Sequence, residues 1–206
     1  MIEILGRPTS TNVMKVLWFC DEAGLEYEHD AEIGGAFGRN DTPEYLALNP
    51  NGRVPTVIDD GFVMWESNSI LRYLARKVKS PFYPSELQGR HLVERWMDWE
   101  LSVVAPHQGT MLVGLVRTKP EDRDAARLAA ALAAWTRGMT ILDGQLAKTA
   151  FVGGDGFTLA DIPLLPVAHR WFKLPIERPD LPNLRRWYDS FADRPAVRKW
   201  VLVELA

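Results

Sequence analysis

The sequence predicts an α/β domain followed by an all-α helical bundle. Over residues 1–79, short apolar strands alternate with helical stretches, whereas only helical periodicity remains over residues 87–206. Residues 80–86 carry two prolines and have no hydrophobic period, which is typical of a linker. We therefore expect two domains joined by a linker at residues 80–86, with the α/β domain first.

The first domain is predicted to have the element order β-α-β-α-β-β-α. Ile2–Leu5 is a short apolar strand, and Glu26–Ala31 is a second strand with alternating polarity. Between them lies a helix whose apolar residues recur at i, i+3, i+4 and i+7: Val13, Val16, Leu17 and Cys20. Thr42 and Pro43, an N-cap followed by proline at the first helical position, open a short helix that runs to about Leu48.

A hairpin and a third helix complete this domain. Val54–Asp59 and Phe62–Trp65 are predicted strands, and Asp60 with Gly61 between them is a strong hairpin signal. Ser67 is predicted to be the N-cap of the helix that follows.

The second domain is predicted to be entirely helical. Its longest helix carries apolar residues at steps of four and three: Leu128, Leu132, Trp135, Met139, Leu142 and Leu146. Thr118 and Glu121 have the spacing of a capping box before that helix. Pro106 is expected to kink the helix that precedes it. The pattern favours a packed antiparallel bundle.

A local signature at residues 157–162 predicts another helix start. Thr158 occupies the N-cap position, and Asp161 lies three residues later, where its carboxylate reaches back to the cap N–H. Phe157 and Ile162 stand at the positions of a hydrophobic staple. We expect Thr158 and Asp161 to have a structural role.

Composition and charge narrow the function classes. The 24 Lys and Arg against 27 Asp and Glu give a net charge of −3, and no dense basic cluster is present, so no nucleic-acid partner is expected. The sequence contains no run of roughly 18 apolar residues, so no membrane-spanning helix is predicted. The first ten residues lack the pattern of a secretory signal, so we expect a cytoplasmic protein without a membrane partner.

Cysteine and histidine usage argues against redox pairs and metal sites. Cys20 is the one cysteine, so no internal disulfide or CxxC pair can form. The four histidines lie far apart and have no HxxxH or HExxH spacing. We therefore expect no metal site.

Three segments of the first domain carry polar groups at helix or strand ends. The first is Thr9–Asn12, which joins strand one to helix one. Hydroxyl groups at a helix N-terminus lie beside free N–H groups and the positive end of the helix dipole. The segment is either an ordinary N-cap or a site for an anion or a thiolate.

The second segment is Asn49–Thr56, in which Pro55 stands at the start of a predicted strand. An X-Pro bond there interrupts the ladder and can be cis. It leaves the backbone of Val54 free to pair with an extended, peptide-like ligand. The alternative is an ordinary turn followed by an edge strand.

The third segment is Glu66-Ser67, at a strand-to-helix junction. Ser67 and the exposed N–H groups of the helix can hold a carboxylate, and Glu66 can hold an ammonium group. A site that binds both groups on one carbon is an amino-acid site. The alternative is a capping serine beside a solvated glutamate.

In order and spacing, these motifs resemble the cytosolic glutathione transferases. The resemblance is carried by S-x-N before helix one, N-P-N-G-R-V-P-T, W-E-S-N-S-I-L-R-Y-L and F-T-L-A-D-I, and it covers essentially the whole chain. It implies a thioredoxin-like first domain, an all-α second domain, glutathione as cosubstrate and homodimers with the site near the interface.

The resemblance also implies site residues. Those expected to bind glutathione are Thr9, Ser10, Asn12, Arg39, Arg53, Val54, Pro55, Glu66 and Ser67. Val54 would pair through its backbone with the cysteinyl unit, and Glu66 with Ser67 would hold the γ-glutamyl end. Arg39 or Asn40 would meet the glycine carboxylate.

The same resemblance implies Ser10 and Asn12 as catalytic residues. Theta-like members place a serine near the start of helix one, and Ser10 matches by its spacing to Asn12; some bacterial members use a hydroxyl-x-Asn pair. Thr9 is the next candidate, and which of the three contacts the sulfur stays open. The turn has no tyrosine and no cysteine, and Cys20 is interpreted as a core residue.

The expected reaction is activation of the glutathione thiol as a thiolate that attacks a small hydrophobic electrophile, an alkyl or aryl transfer. Candidates for the hydrophobic-substrate site, each also a plausible core residue, are Trp99, His107, Met111 and Trp171. Two alternatives stay open. One is a non-catalytic, glutathione-binding interaction protein, and the other is a glutathione-dependent isomerase, peroxidase or dehalogenase.

Overall fold

The computed structural model describes residues 1–205, and the chain divides into two compact units at Ser80/Pro81. The first unit confirms the predicted order β-α-β-α-β-β-α. Its elements are β1 (Ile2–Leu5), α1 (Thr11–Glu22), β2 (Tyr27–Asp30), a short 3₁₀ turn (Gly35–Phe37), α2 (Pro43–Leu48), β3 (Thr56–Asp59), β4 (Phe62–Trp65) and α3 (Ser67–Lys77).

The four strands form one mixed sheet in the order β2-β1-β3-β4. β1 runs parallel to β2, with Ile2 opposite Tyr27, and antiparallel to β3, with Ile2 opposite Asp59. β3 and β4 form the predicted antiparallel hairpin. Because β1 lies in the interior of the sheet, the turn after Leu5 starts α1 from a fixed position.

Besides β2, which is Tyr27–Asp30 rather than Glu26–Ala31, two boundaries in the first unit differ from the prediction. β3 begins at Thr56 rather than Val54, because Pro55 has no N–H to donate to a strand ladder. The N-cap of α3 is Glu66, and Ser67 is the first helical residue, so the prediction that Ser67 caps this helix is wrong.

The second unit is helical, as predicted. Its elements are α4 (Leu87–Trp99), a π-helical stretch (Glu100–Val104), α5 (Ala105–Leu112), a second π-helical stretch (Val113–Arg117), a 3₁₀ turn (Pro120–Asp122), α6 (Ala125–Leu146), α7 (Asp161–Lys173), α8 (Pro182–Asp189) and α9 (Pro195–Trp200). Four of the predicted seam residues of α6 are fully buried: Trp135, Met139, Leu142 and Leu146.

Proline and capping residues set the helix boundaries of this unit. Pro106 lies in the first turn of α5, directly after a π-helical stretch, so the regular helix is interrupted where a kink was expected. The predicted capping box of Thr118 and Glu121 is wrong. Thr118 Oγ1 donates to the carbonyl of Val113 at 3.0 Å, and α6 is capped instead by Asp124.

The helix start at Asp161 contains the predicted backward contact, but the N-cap of α7 is Ala160, so the prediction that Thr158 is the N-cap is wrong. The Thr158 N–H donates to Asp161 Oδ2 at 2.8 Å.

Within residues 1–205, no helix combines the length and the hydrophobicity that a bilayer crossing demands.

Candidate functional site

The turn between β1 and α1 leaves two hydroxyl groups without a hydrogen-bond partner among residues 1–205, that of Ser10 and the buried one of Thr11. Ser10 is the N-cap of α1, with φ −77° and ψ 126°, and its carbonyl accepts the N–H of Met14 at 2.9 Å. Its side chain makes no capping hydrogen bond. Since Ser10 Oγ has no hydrogen-bond partner elsewhere in residues 1–205, it can donate to an anion at the positive end of the helix dipole.

Thr9, the neighbouring hydroxyl, is held by Arg7. The guanidinium of Arg7 donates to Thr9 Oγ1, and the Arg7 N–H donates to the carbonyl of Ile33 at 2.8 Å. The Arg7 side chain lies against Gly35, where an added Cβ would be 2.5 Å from Arg7 Nε. Sequence reasoning missed Arg7; the signal was the glycine-rich loop at residues 34–38, whose backbone this side chain approaches.

The structure brings two predicted site residues together across the sequence. Asn12, in the first turn of α1, accepts a hydrogen bond through Oδ1 from Ser67 Oγ, at 3.3 Å. Ser67 is the buried first residue of α3, and Asn12 is exposed. The first turns of α1 and α3 therefore lie side by side, and their free N–H groups share one region.

The segment before β3 presents an unpaired backbone, as predicted. The Val54–Pro55 bond is cis, and within residues 1–205 neither backbone group of Val54 forms a hydrogen bond. The carbonyl of Arg53 is held by two side chains, because Tyr45 Oη and Asn49 Nδ2 each donate to it at 2.7 Å. These contacts fix the chain next to Val54. Tyr45 was missed in the sequence, where it is one aromatic residue in a short helix.

Glu66 has the left-handed backbone conformation that side chains rarely adopt, with φ +73°. Such a conformation costs about 1–3 kcal/mol in a residue with a side chain and is concentrated at functional sites. It turns the chain from β4 into α3 and exposes the side chain of Glu66 beside the buried Ser67. An exposed carboxylate can bind an ammonium group, and the adjacent helix N-terminus can bind a carboxylate group on the same carbon.

The two candidate arginines have different surroundings. Arg39 forms a bidentate ion pair with Asp30 at the end of β2, with Nη2–Oδ2 at 3.0 Å and Nη1–Oδ1 at 3.3 Å. Its Nη1 also donates to the carbonyl of Glu32. Arg53 is exposed on the segment before the cis bond. Arg53 immediately precedes Val54 in the chain, whereas Arg39 is engaged by Asp30.

The candidates in the second unit divide into two pairs. Met111 is 2% exposed, and Trp171 is fully buried with its ring 5.1 Å from that of Trp135, so both are interior side chains. Trp99 and His107 are half-buried.

The thiol of Cys20 is chemically protected. It is fully buried in α1, and burial, with a smaller contribution from Asp21, raises its pKa to about 12. A thiol that stays protonated at neutral pH is a poor nucleophile. Among residues 1–205, no group of three or more His, Cys, Asp or Glu side chains is arranged to hold a metal ion.

Both units of the chain match known protein families. Residues 2–76 match the family model "Glutathione S-transferase, N-terminal domain", and residues 125–190 match "Glutathione S-transferase, C-terminal domain". The chain is 39% identical to glutathione S-transferase GstB of Escherichia coli K12 over 209 residues, which cover all of both chains.

A solved structure and a further relative extend the comparison. A theta class glutathione S-transferase from Xanthomonas axonopodis pv. citri, with glutathione bound, is 46% identical and superposes with a TM-score of 0.95 over 100% of this chain and 99% of that one. The disulfide-bond oxidoreductase YfcG of Escherichia coli K12 is 26% identical, covering 98% of this chain and 95% of its own.

Proposed function

The chain belongs to the glutathione S-transferase family, and from this premise we propose that it activates the thiol of glutathione for attack on small hydrophobic electrophiles. The thiolate forms a bond to an electrophilic carbon, and the leaving group departs with the bonding electron pair. The reaction is an alkyl or aryl transfer, with glutathione as cosubstrate.

One observation supports this mechanism above the others: the hydroxyl of Ser10 lies at the start of α1 and makes neither a capping bond nor another hydrogen bond in residues 1–205. A free thiol has a pKa of about 8.5, so only a few per cent is ionised near neutral pH. Lowering that pKa by about two units requires roughly 2.7 kcal/mol. A hydrogen bond to a charged group contributes about 1.5–3 kcal/mol, and the helix dipole about 0.3–1 kcal/mol.

The remaining first-unit residues bind the tripeptide in this proposal. The N–H and C=O of Val54 pair with the cysteinyl unit, beside Pro55. Ser67 and the N-terminus of α3 hold the γ-glutamyl carboxylate, and Glu66 holds its ammonium group. Arg53 adds positive charge near the tripeptide.

Thr9 and Arg39 are given supporting roles. Thr9 is anchored by Arg7 and fixes the turn that presents Ser10. Arg39 binds the glycine carboxylate only if that carboxylate replaces Asp30 as the ion-pair partner of Arg39. Trp99 and His107, the two half-buried candidates of the second unit, are proposed to contact the hydrophobic substrate. Met111 and Trp171 are interior side chains of that unit.

The test is conjugation of glutathione to chloro-dinitrobenzene, followed by its absorbance. We expect turnover by the wild-type protein and a loss of about tenfold to a hundredfold in Ser10→Ala, because one hydrogen bond to a thiolate is removed. The matched control is Ser85→Ala, an exposed serine in the linker, which should keep the wild-type rate. An unchanged rate in Ser10→Ala would remove Ser10 from the mechanism.

A second candidate function uses the same thiolate for glutathione-dependent isomerase, peroxidase or dehalogenase chemistry. The relative named a disulfide-bond oxidoreductase supports considering reactions other than conjugation for this family. Turnover of a peroxide or a haloalkane without conjugation of any aryl halide would support it. Retention on immobilised glutathione with no turnover at all would instead indicate a non-catalytic binding protein.

We also propose that two copies form a homodimer through the β4–α3 face. Phe62 and Trp65 are 58% and 42% exposed, and the Phe62 ring lies 5.7 Å from that of Tyr73. This aromatic face adjoins Glu66, so a second copy seated there would border the glutathione site. Sedimentation should show a dimer that Phe62→Glu dissociates; a monomeric wild-type protein would contradict this proposal.

A cytoplasmic location is part of the proposal. Conjugation consumes glutathione in its thiol form, and the cytosol keeps thiols reduced. Fractionation of cells that produce the protein, with detection in the cytosolic fraction, tests this placement.

A further inference from the structure

One hydrogen bond joins the side chains of Ser67 and Asn12, from Ser67 Oγ to Asn12 Oδ1 over 3.3 Å. Ser67 is 4% exposed and is the first residue of α3, and Asn12 is the second residue of α1. A serine hydroxyl has a single proton to donate. The hydroxyl proton of Ser67 is therefore directed to Asn12.

Asn12 and Ser10 differ in their position and in their hydrogen bonds. Asn12 is the second residue of α1, whereas Ser10 is the N-cap and lies outside the regular helix, with φ −77° and ψ 126°. The side chain of Asn12 reaches Ser67, whereas Ser10 Oγ makes no hydrogen bond in residues 1–205. The two polar groups of the S-x-N motif therefore serve two ends of the site.

We propose that Asn12 is a positioning residue that orients the hydroxyl of Ser67 for the γ-glutamyl carboxylate and makes no contact with the sulfur. This rests on the proposed function, in which Ser67 binds that carboxylate. At 3.3 Å, the bond to Asn12 is longer than the usual O–H···O range of about 2.5–3.0 Å. A carboxylate makes shorter and stronger bonds with hydroxyl groups, so it takes the Ser67 proton when glutathione binds. The amide of Asn12 then donates Nδ2–H to Ser67 Oγ and holds the hydroxyl toward the carboxylate, and Asn12→Ala removes this support.

The first experiment compares Asn12→Ala, Ser67→Ala and the double variant with glutathione and chloro-dinitrobenzene. Asn12→Ala should raise the KM for glutathione about two- to fivefold, the effect of a weak neutral hydrogen bond. Its kcat and the pKa of the bound thiol should match the wild type. The double variant should be no worse than Ser67→Ala alone, because Asn12 acts through Ser67.

A second thiol substrate distinguishes a positioning role of Asn12 from a general effect of Asn12→Ala on the fold. Cysteinylglycine lacks the γ-glutamyl group, so Ser67 has no carboxylate to bind. Asn12→Ala should therefore leave kcat/KM for cysteinylglycine unchanged while it lowers kcat/KM for glutathione. A purely structural defect would lower both values.

Three results would overturn the inference. A raised thiol pKa or a lower kcat at saturating glutathione in Asn12→Ala would put Asn12 at the sulfur. Additive losses in the double variant would show that Asn12 acts without Ser67. If calorimetry finds no binding of glutathione to the wild-type protein, the proposed function and this inference fall together, whereas tight wild-type binding with additive losses overturns the inference alone.

Discussion

The indole Nε1–H of Trp187 donates to Oδ1 of Asp161 at 2.8 Å, inside the second unit. The same carboxylate accepts the N–H of Val152 at 3.0 Å and both the N–H and the hydroxyl of Thr158. Asp161 is fully buried. One carboxylate thus ties α8 and the loop before α7 to the start of α7, beyond the single backward contact that the capping motif predicts.

Replacing Asp161 by alanine should strongly destabilise the second unit. It leaves the buried N–H groups of Val152 and Trp187 and the N–H of Thr158 without acceptors, each at about 1–3 kcal/mol. We expect a loss of about 3 kcal/mol or more in the free energy of unfolding, measured by urea denaturation. Asp155→Ala, an exposed carboxylate in the same loop, should lie within about 0.5 kcal/mol of the wild type. Equal stability of the two variants would refute this role.

Cys20 should not react with thiol reagents in the folded protein. Burial raises its pKa to about 12, and reagents attack the thiolate. Ellman's reagent should therefore label less than a tenth of the native chains in the time that free glutathione reacts completely, and about one thiol per chain after unfolding in guanidinium. Stoichiometric labelling of the native protein would contradict the core placement.

The glycine-rich loop against Arg7 allows a matched comparison. Gly35 and Gly38 both have positive φ, at +65° and +63°, but an added Cβ meets Arg7 only at Gly35, whereas at Gly38 it meets nothing within 4 Å. Gly38→Ala should cost about 1–2 kcal/mol of stability and retain the conjugation rate. Gly35→Ala displaces Arg7 from Thr9, so it should also lower kcat, as measured with chloro-dinitrobenzene. Identical conjugation rates in the two variants would show that the contact between Arg7 and Thr9 does not affect kcat.

The carboxylate of Asp59 should make stability depend on acidic pH. Hydrogen bonding from Lys77 holds the pKa of Asp59 below its usual value of 3.8 against the opposing effect of burial, with a further bond from Tyr73. A carboxyl group with a lowered pKa in the folded state stabilises the protein above the unfolded pKa, and this contribution is lost as the pH falls through the folded value.

Asp59→Asn should therefore be less stable than the wild type at pH 7, and the two stabilities should converge as the pH falls below 3.8. Urea titrations at several pH values measure this difference. Asp41→Asn, an exposed carboxylate of the same unit, is the control and should follow the wild type. A constant gap between Asp59→Asn and the wild type across the acidic range would contradict the assignment.

Regular elements were predictable because their signals are local. The apolar period of α1 and the Thr42-Pro43 start of α2 each depend on neighbours within one or two turns. The π-helical stretches were not predictable, since they leave no period of their own in the sequence. The capping box at Thr118 failed because Asp124, six residues later, occupies the N-cap instead.

The candidate site was predictable only where its residues carry a local motif. Ser10, Val54 and Ser67 stand in such motifs. Arg7 and Tyr45 act through contacts with the loop at Gly35 and with the carbonyl of Arg53, which follow from the folded path of the chain. The spacing of residues along the sequence does not predict such contacts.

The pKa of the glutathione thiol bound to the protein tests the central claim, that the turn before α1 stabilises the thiolate. It is measured from the ultraviolet absorbance of the thiolate as the pH is raised, at saturating protein. We predict a value about two units below the free-thiol value of about 8.5 in the wild type, and a value returned most of the way to the free thiol in Ser10→Ala. A bound thiol that titrates like free glutathione, or an Ser10→Ala variant indistinguishable from the wild type, would contradict the account.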